Sequence, residues 1–182
     1  LAPRYALRHL HIMRFSHALI AALTALACWT GAASAQTASI APVALSAEFQ
    51  EKLTDKIGVR EADVLRSMLE RNLNRALQRQ GLSVTANAAT RIEAEIIDAE
   101  PNRPTFYELS RNTSLSFSDS VSIGGARLRA TIHTPRGARE VSYRRYSSSL
   151  DDLFLPATWY DANRAMGTFA RRVASAVKEE VQ

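Results

Sequence analysis

Apolar positions along this chain change their spacing twice, from helical to alternating and back to helical. Ser46 is placed to cap a short helix that puts Phe49, Leu53 and Ile57 on one face and stops at Gly58. A longer helix follows, roughly Glu61 to Gln80. In it Leu65, Met68, Leu69, Leu73, Ala76 and Leu77 recur at three- and four-residue steps and make one apolar stripe. Gly81 then ends the helix, because glycine accepts the left-handed conformation found there.

The middle of the chain alternates. Ile92, Ala94 and Ile96 are separated by Glu93 and Glu95, the pattern of a half-buried strand. Pro101-Asn102-Arg103-Pro104 is a loop, and the Ser/Thr-rich stretch over 105–120 allows a strand around Leu115-Ser116-Phe117. A clearer strand runs from Ile123 to His133. It turns Ala126, Leu128, Ala130 and Ile132 one way and Arg127, Arg129, Thr131 and His133 the other. A turn at Arg136-Gly137 leads into a return strand, Arg139 to Tyr146. That turn predicts Ile132 opposite Val141, Ala130 opposite Tyr143 and Arg129 opposite Arg144. Two opposed arginines need an acid beside them, and Glu93 and Glu95 on a neighbouring strand are placed to supply it.

The last helix begins after Thr158, with Asp161 three residues on in a near-capping box. Trp159, Ala162, Met166, Phe169, Ala170, Val173 and Val177 form its apolar face. Striped helices and a sheet with one apolar face need each other. The expected fold is therefore α+β: a two-layer sandwich in which two or three helices cover one face of an antiparallel sheet of three to four strands. The other sheet face would be open to water.

The first 35 residues belong to a different pattern. Met13-Arg14 is a short positive start, Ala18 to Trp29 is an apolar run, and Ala33-Ser34-Ala35 is a small-x-small cleavage site before Gln36. The run has twelve residues, whereas a spanning helix needs about 20. The reading is a cleavable secretory signal cut after Ala35, with residues 1–12 an extension ahead of a start at Met13. Residues 36–45 read as a flexible lead-in and 46–182 as a single domain. The rival is a lipoprotein signal ending at Cys28. Such signals usually place Leu three residues before the cysteine, and here that residue is Ala25.

Cutting after Ala35 leaves 147 of the 182 residues, enough for one hydrophobic core. The cut removes Cys28, the only cysteine, so packing and not a disulfide must stabilise the exported domain. It also corrects the charge. The whole chain is +5, but the leader holds Arg4, Arg8 and Arg14 and no acid, which leaves the remainder at +2. A nearly balanced domain is weak evidence for nucleic-acid binding.

Catalytic chemistry has few candidates. His133 alone remains of four histidines, and it lies near a hairpin tip with no Ser or Cys motif beside it. Metal sites built from Cys and His are excluded by count, and no cofactor motif is present. Asp98 with Glu100 and Asp151 with Asp152 are paired acids without calcium-loop spacing. Ile123-Gly124-Gly125 runs into a strand, so a bulge or close backbone approach fits it better than a phosphate loop. Asn112-Thr113-Ser114 is a glycosylation triplet by pattern and marks a surface loop.

The arginines are the best binding candidates. Arg127, Arg129 and Arg144 would project from the open sheet face and so could meet an anionic partner. The plainer reading is a cross-strand charge ladder with Glu93, Glu95 and Glu140. Arg103, Trp159 and Arg164 complete the candidate set.

The segments Pro101-Asn102-Arg103-Pro104-Thr105 and Trp159-Tyr160-Asp161-Ala162-Asn163-Arg164 resemble parts of small secreted α+β proteins of uncharacterised proteobacterial families. That resemblance implies a compartment and no activity. The expected function is a periplasmic or secreted, non-catalytic binding or assembly module of the cell envelope. Its partner would be an envelope protein or an anionic envelope component. No nucleic acid is expected, nor any membrane span after the leader is removed. Two alternatives stand beside it. One is an envelope hydrolase in which a deep pocket joins Asp98, Asp161 and Tyr107. The other is an outer-membrane lipoprotein subunit anchored at Cys28.

Overall fold

The structure is a computed structural model that describes residues 36–148 and 157–181. In chain order it contains β1 (Thr37–Ile40), β2 (Ala44–Leu45), α1 (Ala47–Lys52) and a π-helical turn over Leu53–Ile57. Then come α2 (Glu61–Arg79), β3 (Ser83–Val84), β4 (Thr90–Glu100), α3 (Phe106–Arg111), β5 (Gly125–Thr134), β6 (Gly137–Tyr146) and α4 (Tyr160–Val181). The fold is α+β, as expected, but the sheet is mixed and has six strands, in the order β3-β1-β4-β5-β6 with β2 also on β4. The leader, its cleavage site and Asp151-Asp152 lie outside the described residues.

The extra strands come from the segment read as a flexible lead-in. β1 and β2 both pair parallel with β4, at Thr90–Ile92 and at Glu95–Ile96. Strands of four and two residues are too short to show alternation. What defines them is the long partner whose edge they cover. Between β2 and α1, Ser46 has two roles. Its hydroxyl accepts the Phe49 N–H as a helix cap and donates to the Ile97 carbonyl at 3.0 Å. Ile97 is the residue that bulges: the β4–β5 register shifts between Ile96 and Asp98.

The helical stripes bury as their periods predict. Leu65, Leu69, Leu73 and Leu77 of α2, and Met166, Phe169, Val173 and Val177 of α4, are fully enclosed. They close over Ile92, Ala94 and Ile96 of β4 and Ala126, Leu128, Ala130 and Ile132 of β5. Burying each large aliphatic contributes about 1.5–3 kcal/mol. Gly58, with φ of 111°, ends the π-helical turn where only glycine is comfortable. It also lets Tyr107 pack directly against the backbone.

Three local expectations are corrected. The β-hairpin closes with Thr134 opposite Gly137, so its turn is Pro135-Arg136 and the register moves by two residues. A two-residue slip preserves the faces but changes the partners: Ala130 meets Val141, Leu128 meets Tyr143, Arg129 meets Ser142, and Arg127 meets Arg144. The stretch around Leu115-Ser116-Phe117 is turns, not a strand. The third lies at the start of the Ser/Thr-rich stretch over 105–120, which is a helix, α3. It starts with a full capping box, Thr105 and Glu108 each bonding the other's backbone N–H.

Candidate functional site

The open sheet face carries the arginines that the alternation predicted. Across β4, β5 and β6, Arg91, Arg127, Arg129 and Arg144 share it with Glu93, Glu95, Asp98, Glu100 and Glu140. Arg129 donates to Glu95 at 2.7 Å, Arg91 meets Glu93 at 3.0 Å, and His133 lies 3.2 Å from the same glutamate. Arg127 sits between Asp98 and Arg144 in one cross-strand row. The Arg144 guanidinium lies over the Tyr146 ring, 5.3 Å from its centroid. With acids and bases this closely matched, the face carries little net positive potential.

At the bulge, the sheet builds its most connected polar group. Lys52, reaching over from α1, donates to Asp98 at 2.8 Å and also to Glu100. Tyr146 donates its hydroxyl to the other Asp98 oxygen. Burial works against charge on Asp98. The bonds from Lys52 and Tyr146, with the charges of Lys52 and Arg127, outweigh it and hold the carboxyl below its ordinary 3.8. Burial also opposes charge on Lys52, but its two carboxylate partners raise it above 10.5. Burial and the bond to ionised Asp98 push the Tyr146 phenol well above 10.0. Asp98 is thus held as a doubly engaged anion and Tyr146 as a neutral donor, the opposite of a poised acid–base pair.

These shifts fix a pH window. The Asp98 contribution is complete above 3.8 and is lost as pH falls from there through its lower folded value. The Tyr146 contribution is complete below 10.0 and is lost as pH rises from there through its raised folded value. We expect Tyr146→Phe to lower stability at neutral pH and to flatten both the acid and the alkaline slopes, read by urea unfolding from pH 3 to 11. Wild-type and variant curves that stay parallel over that range would show that the cluster is not the source.

A groove of about 470 Å³ lies in front of this cluster, between α1 and the sheet. Glu48, Glu51, Asp55, Asp98 and Glu100 line it against Lys52, Lys56 and Arg127, so it is acidic on balance. Asp161 and Tyr107 are not among its lining residues. Among the described residues, no group of three or more His, Cys, Asp or Glu gathers as a metal site.

The remaining candidates gather at the end of the sheet where β4 leaves and β5 begins. Trp159 is buried and donates its indole N–H to Glu61 at 2.7 Å. Arg103 is buried and donates to the Phe117 and Ser118 carbonyls at 2.8 and 2.7 Å. Arg164 is exposed and lies over the Tyr160 ring. Asp161 is buried, its carboxylate accepting from Asn102 Nδ2 at 2.7 Å, while Asn102 Oδ1 accepts the Asp161 N–H at 2.9 Å. The α4 N-terminus is therefore capped from another loop. The Asn102-bearing loop is held in turn by Thr105, whose hydroxyl donates to the Ile57 carbonyl at 2.6 Å.

Around this collar stand four exposed apolar side chains. Phe106 is 80 % exposed, Val59 62 %, Phe117 47 % and Ile123 46 %. Phe106 opens α3, Val59 follows Gly58, which Tyr107 contacts, Phe117 lies under Arg103, and Ile123 precedes Gly124, which abuts Asn102. The capping box at Thr105 was the available signal. It predicts a helix that opens on Phe106.

No protein-family model matches the chain, and no curated protein matches it. Among the described residues no helix is long and apolar enough to cross a membrane. Solved structures similar to the chain include a minor lipoprotein from Acinetobacter baumannii, at 14 % identity over 80 % of this chain and 94 % of that one, TM-score 0.36. A second is a dodecameric PelC from Paraburkholderia phytofirmans, at 8 % identity over 79 % and 86 %, TM-score 0.42. A third is rare lipoprotein B from Shewanella oneidensis, at 14 % identity over 78 % and 92 %, TM-score 0.27.

Proposed function

We propose that this chain is an exported, non-catalytic binding module of the bacterial cell envelope, and that it binds an envelope protein through the collar at the β4–β5 end. The observation that carries this reading is Phe106, a large aromatic 80 % exposed on a helix pinned by a complete capping box. A rigid, exposed aromatic with apolar neighbours is the usual anchor of a protein interface. The charges around it favour a protein over an anionic component. Arg60, Arg103, Arg111 and Arg164 are offset by Glu61, Asp63, Glu108, Asp119 and Asp161, so no basic excess is left to attract phosphate or acidic glycan. The Lys52–Asp98–Tyr146 cluster supports a binding role over hydrolysis, since each of its groups is held in its unreactive form.

A photo-crosslinking residue at position 106, in cells exporting the full chain, tests the proposal. One discrete envelope-protein adduct is expected, and excess purified protein should suppress it while the Val59→Ser/Phe106→Ser variant should not. The same probe at Glu93 on the open face should give none. Adducts from position 93 with none from 106 would move the binding surface to the sheet. Turnover of an envelope substrate that is lost in Asp98→Asn would overturn the non-catalytic reading. Intact mass of the exported protein tests the leader as well, since a Gln36 terminus and an acylated Cys28 exclude each other.

A further inference from the structure

The two edges of the sheet are treated differently. At one, β3 has two residues, too few to template another strand. At the other, β6 runs ten residues with no proline and no bulge, and no strand among the described residues covers its outer side. The Ser147 N–H bonds the Gly124 carbonyl, which continues the hairpin ladder by one pair. Antiparallel ladders alternate, so the odd residues of β6 are bonded to β5. The backbone groups of Ala138, Glu140, Ser142 and Arg144 therefore point outward.

We infer that this edge pairs with a second copy of the chain, antiparallel, with the two-fold axis at Ser142. The side-chain order makes that register self-complementary. Glu140 falls opposite Arg144 of the second copy, and Arg144 opposite its Glu140, on the same open face. Val141 falls opposite Tyr143 on the helical face, where both are half-buried and packed against the core. Ser142 meets itself, a small neutral pair at the centre. Shifting the axis to Val141 would face Glu140 with Ser142, and shifting it to Tyr143 would face Arg144 with Ser142, so only the Ser142 register forms both ion pairs. It does oppose Arg139 to Arg145. Arg139 is already matched within its own chain, to Glu179 at 2.8 Å and Glu180 at 3.5 Å. Beside the edge, a groove of about 510 Å³ between β6 and α4 leaves room for side chains of the second copy. The interface is isologous, so it closes at two chains and extends the sheet across both. It is separate from the Phe106 collar, and either proposal can fail alone.

Charge reversal tests it. The exported protein, purified from cells expressing the full chain, is expected to dimerise in sedimentation velocity between 1 and 100 µM. Glu140→Arg alone or Arg144→Glu alone should weaken the dimer on the order of tenfold, because each turns two attractive cross-strand pairs repulsive. The double reversal should restore it, and mixing the two single variants should give a heterodimer. Ser142→Cys should form a disulfide-linked dimer on oxidation, since paired strands bring these Cα atoms within disulfide reach. Ala138→Cys, which faces Tyr146 in this register, should not. Thermal melts confirm that each variant is folded. A wild type monomeric through 100 µM, a double reversal no better than the single variants, or crosslinking of Ser142→Cys to a different protein would each overturn the proposal.

Discussion

Replacing Phe169 with alanine is expected to lower the unfolding free energy by about 4 kcal/mol, close to the whole stability of a marginal domain. Phe169 is fully buried and belongs to the α4 stripe that the core closes around. Truncation removes the ring's transfer free energy and leaves a cavity, and α4 cannot move in to fill it. Its first turn is tied to Asn102, and further along Arg139 on β6 holds Glu179. Urea unfolding measures the loss directly. Val64→Ala, at an exposed position on α2, is the control and should change stability by less than about 0.5 kcal/mol. If the two variants came out alike, α4 would not be packed as described.

The second large effect is expected at Asn102→Ala, at about 3 kcal/mol. One side chain satisfies a buried carboxylate and a helix N-terminal N–H together, and its backbone N–H bonds the Thr158 carbonyl at 2.6 Å. The variant leaves Asp161 buried without that donor, which costs more than the bond itself contributed. Gly124 faces Asn102 without a side chain because a Cβ there would collide with the amide. Asn102→Asp keeps the size but sets one carboxylate against another. It should be as damaging at neutral pH and recover in part at low pH, where one acid is protonated. Hydrogen exchange at the first turn of α4 should rise in both variants, and a loss under about 1 kcal/mol would show that the clamp is incidental.

The Asn102–Asp161 clamp shows where reading a sequence stops. Thr158 and Asp161 have the spacing of a local cap, yet the cap comes from a residue 59 positions away. The same holds at the bulge, where Lys52, Asp98 and Tyr146 lie on a short helix and two strands far apart in sequence until the fold joins them. Arg127 and Arg144 were rightly placed on the open face, but their row with Asp98 depended on a register two residues from the expected one.

The sequence by itself determined whatever depends on a local period or a local cap. The stripes of α2 and α4 and the alternation of β5 decide which atoms leave water, and burial of apolar surface follows that pattern whatever the partner. The Gly58 and Gly81 stops, with φ of 111° and 78°, follow from backbone sterics alone. Only the tertiary structure decided the rest: that 36–45 becomes strand, that the sheet is mixed, that Trp159 and Arg103 are buried braces, and that Phe106 is left in water. Each of these depends on a partner distant in sequence, and the free energy of such a pair exists only once both segments are in place.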